Sequence, residues 1–208
     1  MGSSARCALM ILGFVAVAGC GRNPYATDPL FRPDIPKLTV LPCDTAVVTI
    51  MQPYGTLRRD DGTTFFHNGV DITTADGGRF YSCADGVVSK VELNTGAGYP
   101  GTNYRIWVKI SARATIDYHF EIGGTVPEQR RRDNILVAEG QRVRAGQHIG
   151  NLIYAGDGCH VHFWVMEDRS DPRCPTAYFT QTVAAQFERL FDSPWVEKRP
   201  ADRADLCQ

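Results

Sequence analysis

From Cys43 onward the chain cannot run far without a turn: Asp60-Asp61-Gly62, Asn68-Gly69, Asp76-Gly77-Gly78, Asp85-Gly86 and Gly156-Asp157-Gly158 interrupt it at short intervals. Clusters of this kind mark the connections between strands rather than the interiors of long elements. Between and around them lie runs rich in β-branched and aromatic residues, at 45–51, 69–73, 86–93, 104–110, 115–122, 148–154 and 160–167. The pattern predicts a mainly β fold, an antiparallel sheet or sandwich of short strands. One exception stands near the C-terminus. There Val183, Phe187, Leu190 and Phe191 recur at helical spacing and predict a single helix over 180–191. Residues 123–135 carry Arg130, Arg131 and Arg132 and read as a long loop with a solvated basic face.

Ahead of this region the sequence speaks of export. Arg6 precedes an apolar run over 7–19, too short to span a bilayer but of the right length for a secretory signal. Val17-Ala18-Gly19-Cys20 resembles a bacterial lipobox, so residues 1–19 are expected to be a cleaved lipoprotein signal peptide. Cys20 is the expected lipid anchor, and through it the membrane is an expected partner. Gly21 after the cysteine resembles the sorting pattern of outer-membrane lipoproteins facing the periplasm. Residues 20–42 are proline-rich and read as the anchor plus an extended tether, 43–180 as the domain proper, and 181–208 as a C-terminal helix and tail. An oxidising compartment makes at least one disulfide expected among Cys43, Cys83, Cys159, Cys174 and Cys207, with one thiol left over. The formal net charge of −1, with no basic face, gives no footing for nucleic acid.

Chemistry concentrates in the histidines. Of the five, His67 sits with Asp71 in HNGVD, His119 in DYHFE, and His160 and His162 in CHVHFW. An isolated His-x-His is more often two polar strand positions than a metal site. In a strand, however, residues two apart share a face roughly 6.5–7 Å apart. His160 and His162 therefore project together, while Phe163 and Val165 turn to the opposite face. The two imidazoles can converge on one centre, though one alone needs to bind a metal. His67 and Asp71 would be roughly 13 Å apart along a straight strand, and Asn68-Gly69 permits the bend that joins them. The sequence can thus furnish a His/Asp/His set with a fourth position for water, as catalytic zinc sites have. His148, outside these motifs, reads as a surface or structural residue.

These residues resemble the lysostaphin/LytM-type zinc metallopeptidases, with their H-x(3)-D and H-x-H motifs. The resemblance runs from about Met51 to Pro172. It includes Ala84-Asp85-Gly86-Val87-Val88, similar to the family's Ala-x-x-Gly-x-Val strand, and 139–150, similar to its Gly-x-x-Val-x-x-Gly-Gln-x-Ile-Gly segment. It implies one zinc ion on His67, Asp71 and His162 in a groove of a mainly β domain over 43–180. It implies that His160 and His119 act as general base or acid and stabilise the oxyanion, and that the chain hydrolyses peptide bonds in peptidoglycan stems or cross-bridges. A zinc-bound water near neutral pKa makes a nucleophilic Ser or Cys unnecessary; Cys159 reads as a disulfide or packing residue. The chain departs from the pattern in places. Cys159 replaces the proline before H-x-H, Trp164 stands where Glu often follows, and the family's Tyr-x-His-Leu is Asp117-Tyr118-His119-Phe120. Trp164 and Tyr118 are candidates for lining the cleft or packing beside it. The alternatives from other classes are a non-catalytic regulator or wall-binding lipoprotein of the same fold, and a structural zinc domain. The complete set of five site residues favours the enzyme. A regulatory protein partner is neither specified nor excluded by these residues.

Overall fold

A computed structural model of the protein describes residues 28–59, 61–93, 103–168, 173–200 and 205–207. The expected signal peptide and Cys20 lie outside these residues. Among them are twelve strands: β1 (Val48–Gln52), β2 (Gly55–Arg58), β3 (Thr64–His67), β4 (Val70–Thr74), β5 (Arg79–Tyr81), β6 (Gly86–Leu93), β7 (Tyr104–Lys109), β8 (Ala114–Glu121), β9 (Arg142–Val143), β10 (His148–Asn151), β11 (His160–Glu167) and β12 (Glu197–Lys198). Eight form one sheet in the order β12-β1-β4-β11-β8-β7-β6-β9. Its pairs are antiparallel except the edge pair β12–β1, which is parallel. Two ribbons, β5–β10 and β2–β3, complete the strands. The mainly β, antiparallel expectation describes this architecture.

Alternation divides the large sheet into two faces. On one, Val161, Phe163 and Val165 of β11 join Ile116, Tyr118 and Phe120 of β8 and Ile106 and Val108 of β7 in a continuous apolar core. Phe80 of β5 meets Phe120 edge-on at 5.3 Å, so the β5–β10 ribbon caps one part of this face. Helix α2 (Gln181–Phe191) caps another, with Phe187 edge-on to Phe163 at 6.4 Å. Its start follows from Thr180, whose hydroxyl accepts from the Val183 amide and satisfies one of the helix's open donors. The opposite face of the sheet carries the polar residues of the same strands.

Three expectations change. The part of the proline-rich segment within 28–42 is packed on the domain. Leu38 is fully buried, and its amide donates to the Tyr178 carbonyl at 2.9 Å, while Thr39 donates to Cys83 at 2.9 Å. Proline prevents a regular strand here but not the burial of Leu38 or the pairing of its neighbours' amides. Residues 123–135 contain a short helix, α1 (Glu128–Asp133), and its three arginines are not one solvated face. Arg131 is buried, whereas Arg130 pairs with Asp76 and Arg132 with Glu128. Of the five cysteines, Cys174 and Cys207 are joined, and three rather than one remain as thiols, Cys43, Cys83 and Cys159, all buried.

Candidate metal centre and groove

His67 ends a hairpin. Strands β2 and β3 pair so that Gly55 lies opposite His67, and the chain then bends through Asn68-Gly69 into β4, carrying Asp71 back toward the His67 ring. Gly69 is required by close approach: a Cβ there would lie 2.7 Å from both Cε1 and Nε2 of His162 and 2.8 Å from the Phe163 carbonyl. Behind His67, its Nδ1 lies 2.7 Å from the Pro53 carbonyl. A carbonyl only accepts, so Nδ1 carries the hydrogen and Nε2 presents its lone pair forward.

Asp71 and His162 are cross-strand partners, and His162 is in turn the partner of His119. The register extends this row at both ends, with Gln52 opposite Asp71 and Arg105 opposite His119. His67 reaches this row from the β2–β3 hairpin: its Nε2 lies 3.1 Å from Asp71 Oδ1 and 3.1 Å from His162 Nδ1, and His162 Nδ1 lies 2.8 Å from Asp71 Oδ1. Two imidazole nitrogens and a carboxylate oxygen converging this closely suit a divalent cation. Tetrahedral zinc ligands at about 2.0–2.1 Å would sit roughly 3.3 Å from one another, and a single shared proton cannot satisfy all three lone pairs. The donor set fits zinc, and His67, Asp71 and His162 form a group that could hold the ion. Burial works against charge on Asp71, yet His160, His162 and His67 around it hold its carboxyl well below the usual carboxylate range. Burial likewise opposes an imidazolium at His67, but Asp71 and the Pro53 carbonyl outweigh it and raise the ring's affinity for a proton. The field that attracts a proton there attracts a metal cation equally.

His160 stands beside this trio. Its Nδ1 lies 2.6 Å from the Gly158 carbonyl, so Nε2 is the free base; it lies 3.5 Å from Asp71 Oδ1 and 3.7 Å from Glu121 Oε2. His119 Nδ1 lies 3.1 Å from Glu121 Oε1, while its Nε2 is buried with no partner among the described residues. Glu121 therefore orients the His119 imidazole, and the Gly158 carbonyl orients that of His160. Although burial opposes the charge of Glu121, His119 and His160 hold its carboxyl below the ordinary glutamate range. Glu121, the last residue of DYHFE, is not among the site residues expected from the sequence. Its position two residues after His119 on β8 is the period-two signal that marks it. Pro53 offers no such signal, because its contribution is a backbone carbonyl.

Two departures from the family pattern turn out to touch. Asp117 and Trp164 are cross-strand partners, and Trp164 Nε1 donates to Asp117 Oδ2 at 2.9 Å. The same oxygen pairs with Arg105 at 3.2 Å. Asp117 is fully buried, and burial pushes its carboxyl up against the opposing pull of Trp164 and Arg105. Trp164 lies on the groove face, its ring 6.1 Å from that of His162. Tyr118 points the other way: it is fully buried and its hydroxyl accepts from the Cys83 amide at 3.0 Å, so it is core. Cys159 packs, its thiol against the Ile153 carbonyl, and burial pushes it up to about 12, far from a reactive thiolate. His148 bonds Asn151 Oδ1 at 2.8 Å and is not among the groove-lining residues.

Beside the metal trio opens a groove of about 550 Å³, with Asp71, His160 and Glu121 on its walls together with Gln52, Tyr154 and Arg199. A β sheet carrying a His/Asp/His cluster in an open groove, with two further histidines beside it, can hold a divalent cation with bases at its side. Peptidase family M23 matches residues 65–173, more than half of the 208. The chain belongs to peptidase family M23, whose members are zinc-dependent. No curated protein matches significantly. Among solved structures, a zinc-containing peptidase from Vibrio cholerae is similar at 27% identity and TM-score 0.45, over 63% of this chain and 37% of that one. Csd3 of Helicobacter pylori is similar at 22% and 0.46, over 73% and 39%. The catalytic domain of the antimicrobial peptidase lysostaphin from Staphylococcus simulans is similar at 21% and 0.39, over 58% and 80%. This chain thus spans about two-fifths of the lengths of the first two.

Proposed function

We propose that this protein is a zinc-dependent endopeptidase that hydrolyses peptide bonds in the stems or cross-bridges of peptidoglycan. The observation that carries the reading is the convergence of His67 Nε2, Asp71 Oδ1 and His162 Nδ1 within 3.1 Å of one another, beside His160 and His119. Bound there, zinc would polarise the scissile carbonyl and lower the pKa of a water toward about 7. The chain's own residues do the rest. Pro53 holds the His67 ring so that Nε2 faces the centre. His160, with Nδ1 tied to Gly158, keeps Nε2 available to take the proton of the attacking water. The proton that His160 has taken is then passed to the leaving amine, and His119, oriented by Glu121, steadies charge on the carbonyl oxygen with an N–H at Nε2.

The N-terminal sequence supports export and lipid anchoring at Cys20, at an outer membrane facing the periplasm. That location brings the groove to its polymeric substrate.

The test compares the chain beginning at Gly21 with its His162→Ala and His160→Ala variants on purified peptidoglycan, with zinc quantified in each. The wild type releases muropeptides and carries one zinc. His162→Ala loses both, whereas His160→Ala keeps the metal and loses at least about 100-fold in rate. Zinc retained by the wild type with no release would favour a non-catalytic wall-binding role.

A further inference from the structure

The groove beside the metal trio is walled partly by acids. Asp71, Glu121 and Asp157 line it, and among its described lining residues Arg199 is the one Lys or Arg. Arg199 lies outside the region shared with the family, 65–173, in a C-terminal segment that this chain adds to its sheet.

That segment is firmly placed. Strand β12 pairs in parallel with β1, Ile50 against Glu197 and Met51 against Lys198, and the Arg199 amide then donates to the Met51 carbonyl at 3.0 Å. Farther along, Cys207 is joined to Cys174, and the Tyr54 amide donates to the Leu206 carbonyl at 3.1 Å. Gln52, the next residue of β1, is the cross-strand partner of Asp71. Arg199 thus stands one strand beyond the row that carries Asp71 and His162.

Its guanidinium is available for a ligand. Nε pairs with Glu197 at 2.6 Å, and both side chains are more than half exposed, so the pair is weak and exchangeable. Nη1 and Nη2 make no hydrogen bond with the described residues. Those two donors form the fork that matches a carboxylate. Of the groove's acids, Asp71 faces the metal position and Glu121 holds His119, while Asp157 and Glu197 lie close enough to favour the charged guanidinium without a hydrogen bond to Nη1 or Nη2 among the described residues.

Resting on the peptidase reading, we propose that Arg199 is a specificity residue that receives a carboxylate of the substrate peptide in this arm of the groove. A peptide bearing a free carboxylate there binds in preference to the same peptide with carboxamides.

The test is calorimetric binding of a peptidoglycan stem peptide, with free carboxylates or with carboxamides, to the zinc-loaded chain, its Arg199→Gln variant and its Arg199→Lys variant. The wild type is expected to favour the carboxylate form by about tenfold. Arg199→Gln loses that preference while its affinity for the carboxamide form and its zinc content stay unchanged, and Arg199→Lys restores part of the preference. Equal weakening of both peptides in Arg199→Gln, an unchanged preference, or no binding of either peptide to the wild type would overturn the proposal. Absence of cleavage alongside a lost preference in Arg199→Gln would instead remove the peptidase reading and leave the carboxylate site standing.

Discussion

Gly69 shows how a single missing atom builds the centre. A Cβ at this position would overlap the His162 ring at 2.7 Å and the Phe163 carbonyl at 2.8 Å, neither of which can yield without moving a ligand. Gly69→Ala should therefore keep the fold while lowering zinc affinity about 10–100-fold, read as metal retained against a competing chelator. Asp117 gives a pH signature. Burial raises its native carboxyl above the unfolded value of 3.8, so the native state holds more protons between those two values. Its contribution to stability is accordingly lost as pH rises through that window. Asp117→Asn, which cannot ionise, should gain on the wild type from about pH 4 upward, seen in denaturant unfolding at several pH values. At this scale His67, Asp71, His160 and His162 were legible because a period of two and an Asn-Gly bend are properties of sequence. The Asp117–Trp164–Arg105 contact was not, since it depends on which residue of β8 faces which residue of β11.

Among the elements, β11 and β6 have the bounds expected from their runs, and β11, between β4 and β8, is a central strand whose alternation is enforced by a buried face. The hairpin β2–β3 escaped notice, being two four-residue strands outside the large sheet, and β9 and β12 are two residues each. Such pieces are strands only because a neighbour pairs with them. The run at 45–51 begins instead as a 3₁₀ turn, Thr45–Val47, with Asp44 accepting from the Ala46 amide. Helix α2 was legible from its periodicity, and its work is on the core face. Phe187 is fully buried against Phe163 and Phe179. Phe187→Ala should cost about 3–5 kcal/mol in unfolding free energy, while zinc content per folded molecule stays unchanged because the metal ligands lie on the opposite face.

For the whole molecule, the segments flanking the family region are part of the folded unit. Leu38 from the N-terminal side, and Phe187, Leu190 and Leu206 from the C-terminal side, join the same core. The Cys174–Cys207 link closes a 33-residue separation over this C-terminal part. Replacing both cysteines by serine should lower stability by about 3 kcal/mol, measured by chemical unfolding. Proline-rich composition suggested a tether, and it could not reveal Leu38, whose burial is decided by Tyr178 and Cys83 far along the chain. The central claim is that zinc on His67, Asp71 and His162 makes this chain a peptidoglycan endopeptidase. Its most direct test is to strip the metal with a chelator, restore one equivalent of zinc, and weigh the muropeptides released from purified peptidoglycan. We expect cleavage to vanish on stripping and return with zinc, each product pair differing from its parent by one water; zinc-loaded protein that releases nothing, or stripped protein that still cleaves, would contradict the account.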